Sequence, residues 1–131
     1  MIQETYVYLI AHLDGAGECT APVKIGYSSF PDKRLATLQT GNPSRLVMMF
    51  KLRAPSVELA RQSEAYFHRV AASDRLSGEW FSTAPIKALA GLSSAFAALI
   101  LQDVRNDKDA ELLMEWSGVM SAAEMVARAS E

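Results

Sequence analysis

The chain has 131 residues, 50% hydrophobic and 21% charged, a one-domain length and a globular composition that excludes a disordered chain. Its net charge of −2 excludes capture of nucleic acid by a broad positive field, so any such contact must be local. The part up to Thr83 carries 9 Lys/Arg against 8 Asp/Glu and the remainder 4 against 7, so the acidity lies mainly in the tail.

Thr5 to Ala11 (TYVYLIA) is β-branched and aromatic and reads as a strand, with Tyr6, Tyr8 and Ile10 on one face and Val7, Leu9 and Ala11 on the other. A loop is predicted over His12 to Pro22, with Asp14-Gly15, Gly17 and Pro22 as turn residues. Val23 to Tyr27 is the second strand, too close for a crossover helix and therefore antiparallel to the first. Gly26 within it marks a close backbone approach or an unusual φ.

A helix follows, with Ser28 or Ser29 as its cap, Pro31 and Asp32 in its first turn, and Leu35 and Leu38 as its apolar face. Gly41-Asn42-Pro43 stops it. Arg45 to Arg53 is a third strand. Ser56 caps a longer helix running to about Ala72, with Leu59, Tyr66, Phe67 and Val70 as apolar positions. Ser73 to Gly78 is a polar loop and Glu79-Trp80-Phe81 a short extended segment, its aromatics closing the sheet. Ile86 to Leu101, Ala110 to Trp116 and Ser121 to Ala129 are helical, the last with a Ser121/Glu124 capping box. The predicted class is α+β: a small, three-stranded, mainly antiparallel sheet flanked by helices, with residues 1–85 as one unit and 86–131 as a helical extension packing on it or mediating self-association. No apolar run reaches the roughly 18 residues that span a bilayer. There is no basic stretch followed by an apolar one at the N-terminus, and Cys19 is the single cysteine. A cytoplasmic protein without a membrane partner is the expectation.

Five pieces stand in order along these elements: Tyr6-Val7-Tyr8; Lys24-Ile25-Gly26; Pro31-Asp32-Lys33-Arg34-Leu35 with Leu38-Gln39-Thr40-Gly41-Asn42-Pro43; Glu64 with His68; and Gly78-Glu79-Trp80-Phe81. Together they resemble the GIY-YIG nuclease superfamily over Tyr6 to Phe81, in the phage and bacterial subgroup with KIG in place of YIG. The resemblance implies a metal-dependent endonuclease acting on DNA phosphodiester bonds. It implies that Tyr8 accepts a proton from, or orients, the attacking water. Arg34 would contact the scissile phosphate, and Glu64 would hold one Mg²⁺ or Mn²⁺ ion. Lys24 stands where a tyrosine is usual; it would lower the pKa of Tyr8 or contact phosphate. His68 shares a helix face with Glu64 and would support the site or pack beside it. A catalytically silent module of the same fold that binds nucleic acid or protein is the alternative, since the motif-bearing part is near neutral and the extension carries no basic DNA-reading helix. Pairing of two chains through the C-terminal helices would let a one-site nuclease cut both strands.

Overall fold

A computed structural model describes residues 4–105 of the chain. The helical pieces expected over 110–116 and 121–129 lie outside the described residues. β1 (Thr5–Leu13) and β2 (Cys19–Ser28) form an antiparallel hairpin. Its turn is closed by Asp14, whose Oδ1 accepts from the Ala16 and Glu18 amides, each at 2.9 Å. β1 runs two residues further than predicted and β2 begins four residues earlier, so Pro22 lies inside β2 instead of in the loop. It sits where the β1–β2 register shifts between Ile10 and His12, a place that tolerates a residue with no N–H.

α1 (Pro31–Gln39) follows. Neither predicted serine caps it: the N-cap is Phe30, whose side chain makes no capping bond. Ser28 Oγ instead accepts from the Phe30 amide at 2.9 Å, tightening the turn before the helix. β3 (Arg45–Ala54) returns along the other side of β1. Ser56 does cap α2 (Val57–Val70), accepting from the Leu59 amide at 3.1 Å.

A short 3₁₀ turn over Ala72–Asp74 leads to β4 (Arg75–Ser77), which folds over Gly78 at φ +58° onto β5 (Trp80–Phe81). β5 pairs with β2, so the antiparallel sheet has five strands in the order β3-β1-β2-β5-β4, not three. Strands of three and two residues are too short to show a period of two, which is why Ser73 to Gly78 reads as loop.

α3 (Pro85–Arg105) packs on α2 and the sheet. Its residues Ala88, Leu92, Phe96 and Ile100, four apart, make one stripe that joins Val7, Leu9, Val23, Ile25, Leu59, Phe67 and Phe81 in the main core. Phe67 and Phe81 meet edge to face, centroids 5.3 Å apart. Tyr66 and Val70, predicted as apolar positions of α2, are exposed. The buried stripe of α2 runs through Leu59, Ala60, Ser63 and Phe67, with Ser63 Oγ satisfied by the Leu59 carbonyl at 2.9 Å. The stretch Pro85–Gln102 has a mean hydropathy of 1.4 and is long and apolar enough to cross a membrane, contrary to the expectation from unbroken runs; 39% of it is buried in this fold. The opposite face of the sheet holds a smaller cluster of Tyr8, Ile10 and Leu46, with Leu35, Leu38, Met48 and Trp80 packed around it.

Candidate active site

The site forms where β2 outlasts its neighbour. β5 pairs only with Val23 and Lys24, leaving the following edge of β2 without a strand. α2 covers that edge with two polar side chains. His68 Nε2 donates to the Ile25 carbonyl at 3.3 Å, and the Glu64 carboxylate accepts from the Tyr27 amide. Buried backbone groups need such partners, so both residues have a structural task whatever else they do.

Tyr8 reaches the same edge from β1. It is paired with Gly26, and a Cβ added at Gly26 would lie 2.6 Å from Tyr8 Cζ and closer still to its hydroxyl. The ring thus lies across β2 in the space that a side chain would fill. Close approach, not a positive φ, is what demands glycine there: among the described residues the positive-φ glycines are Gly17, Gly41 and Gly78. Arg34 of α1 is exposed and hydrogen-bonds the Tyr8 hydroxyl from the solvent side.

Lys24 lies on the Tyr8 face of β2, almost fully buried, and its Nζ is 2.5 Å from Glu79 Oε2. The ammonium also stands 5.8 Å from the centre of the Trp80 ring. Glu79, in the fifth of the ordered motifs, thus enters the site as the counter-ion of Lys24. Its neighbour across the sheet is 55 positions away, a separation with no local pattern to reveal it.

The five predicted residues Tyr8, Lys24, Arg34, Glu64 and His68 therefore join, with Glu79, in one polar cluster. Burial is the main cause that raises the Tyr8 pKa, and the negative charges of Glu79 and Glu64 add to it. The Arg34 hydrogen bond and charge oppose this without overcoming it. Arg34 is a cation that pulls the phenol's pKa down. The Glu64 carboxyl is also raised, first by burial and then by Glu79, against the pull of His68, Lys24 and the Tyr27 amide. His68 Nε2 is 4.0 Å from Glu64 Oε1, and its ring meets Phe81 at 5.0 Å.

Among the described residues, no group of three or more His, Cys, Asp or Glu side chains is arranged to hold a metal ion. An ion here would have Glu64 as its protein ligand and water or phosphate for the rest, a pattern that suits Mg²⁺. A carboxylate destabilised by burial and by a second carboxylate would be relieved by a cation, so the donor chemistry fits. A cavity of about 230 Å³ between α2 and α3, lined by Tyr66, Phe67, Val70 and Lys87, includes none of the cluster.

Fold and cluster together define a small α+β module with a polar cluster at one edge of its sheet. Residues 5–96 match the model of the T5orf172 domain, and the chain belongs to that family. The family is one of phage and bacterial domains associated with a nuclease-like or DNA-binding role. No curated protein and no solved structure matches the chain.

Proposed function

We propose that this chain is a GIY-YIG-type, metal-dependent endonuclease domain that hydrolyses DNA phosphodiester bonds. The observation that supports the reading best is the meeting of a phenol, an exposed guanidinium and a partly buried carboxylate at one sheet edge. Arg34, open to solvent beside Tyr8, takes a phosphate oxygen and the charge that develops on it. Tyr8, its pKa raised, is a neutral phenol at pH 7. It orients the attacking water through its hydroxyl and does not act as a free base. Glu64 would hold a divalent ion, which would supply charge for the phosphate and the leaving oxygen. Glu79 pins Lys24 in the sheet, so Lys24 shapes the field of the site and does not reach for phosphate.

One observation favours the silent module as a second reading. Glu64 and His68 are both engaged with the edge of β2, and that task alone would keep them. Nicking of supercoiled plasmid with Mg²⁺ or Mn²⁺ separates the two. Wild type should nick, and Arg34→Ala and Tyr8→Phe should each lose about 10²- to 10³-fold, the range for one transition-state contact. Absence of cleavage by folded wild-type protein with either metal would leave the binding module standing.

A further inference from the structure

The turn between β2 and α1 breaks a local rule. Two serines are available to cap α1, yet the cap position holds Phe30, whose side chain makes no capping bond and is 53% exposed. Its ring has a cation instead, Lys33 Nζ at 5.0 Å from the centroid. The Phe30 carbonyl accepts from the Arg34 amide at 3.1 Å, so Phe30 sits one helical turn before the arginine of the site. Tyr27, three residues earlier, is 37% exposed. Its amide is held by Glu64, and the Arg61 guanidinium lies within electrostatic reach of its phenol. Two exposed rings therefore stand close along the chain to the site residues, Phe30 beside Lys33 and Tyr27 near Arg61, whose guanidinium is also paired with Glu58, in a protein whose overall charge gives DNA no broad attraction.

Exposed aromatic faces beside backbone-tracking cations are what unpaired nucleotides bind, because each base offers a π-face and each linkage a phosphate. A base inside a duplex is stacked already and cannot use them. We infer that Phe30 and Tyr27 are a stacking platform for unpaired DNA bases, so that the substrate carries single-stranded nucleotides beside the phosphate at Arg34. This rests on the nuclease reading for the phosphate but not for the platform itself. Trp80 is packed against the Tyr8, Ile10 and Leu46 cluster and beside Lys24, and is not part of it.

The test is fluorescence anisotropy of the full chain in EDTA, with a labelled single-stranded 12-mer, the same sequence as a blunt duplex, and a 12-mer of abasic nucleotides. The last keeps every phosphate and removes every base. Wild type should bind the single strand at least about tenfold more tightly than the duplex or the abasic strand. Phe30→Ser should weaken single-strand binding about 5- to 150-fold, the range for losing one stacking ring, and Tyr27→Ser should weaken it less. Neither should change abasic binding by more than about twofold. Tyr66→Ser is the matched control, an exposed ring with Arg69 at 5.8 Å on another side of α2, and it should change nothing. Equal affinity for single strand and abasic strand, or unchanged binding by the Phe30→Ser/Tyr27→Ser double variant, overturns the platform. The plasmid assay reports separately: a platform without nicking removes the nuclease reading alone, and nicking with no base-dependent affinity removes the platform alone.

Discussion

The two faces of the sheet are built on different terms. On one, β1, β2 and β3 send Val7, Leu9, Ile25 and Leu52 against α2 and α3, and the result is a dry core. On the other, Tyr8, Ile10 and Leu46 meet the short helix α1, and a buried lysine and a solvent-facing arginine stand beside them. The first face holds the fold; the second sacrifices packing to bring charge to one sheet edge. Gly26 shows the difference in a single residue, since its missing side chain is filled by a ring that carries a hydroxyl to the site.

That contrast can be broken from either side. Leu92→Ala, wholly buried on the α3 side, should cost about 2–5 kcal/mol of stability in urea unfolding, with little effect on cleavage per folded molecule. Gly26→Ala would force Tyr8 out of its place across β2. It should cost about 1–3 kcal/mol, as overpacking does, and should lower nicking well beyond its effect on the folded fraction. Glu79→Gln leaves the buried Lys24 without its counter-ion. Because Glu79 is 38% exposed, solvent screens part of the loss, and about 1–2 kcal/mol is expected, below the cost of breaking a fully buried pair. Lys24→Met, which leaves only the better-hydrated partner, should cost less.

The smallest effect carries the sharpest sign. The Glu64 carboxyl is raised by burial and by Glu79, so above the ordinary carboxylate pKa of about 4.3 the folded state binds more protons than the unfolded one. Stability tied to this group is therefore full at low pH and is lost as pH rises through the raised value. Glu64→Gln should melt slightly higher than wild type at pH 7, and the gap should close on acidification towards pH 4. A Gln keeps an acceptor for the Tyr27 amide, so the edge of β2 stays covered.

Much of this was readable in the residues. The alternation in TYVYLIA assigned the two faces of β1, and Ser56 marked the start of α2. The ordered motifs pointed to Tyr8, Arg34 and Glu64, which the fold brings into one cluster. What escaped has a common cause. β4 and β5 are held by pairing with β2 and with each other, not by their own sequence. The Lys24–Glu79 pair is likewise a product of strand order. Tyr66 and Val70 look apolar and periodic, but α2 turns its Leu59–Ser63–Phe67 stripe inward. Phe30 took the cap because Ser28 was spent on the turn.

The central claim is that the polar edge exists for chemistry at the expense of stability. Glu64→Gln tests it in one protein, by plasmid nicking and thermal melting at pH 7 on the same sample. The account predicts a nicking rate about 100-fold or more below wild type together with a melting temperature at or above it. Nicking retained at the wild-type rate by this well-folded variant, or a melting temperature well below wild type, would contradict it.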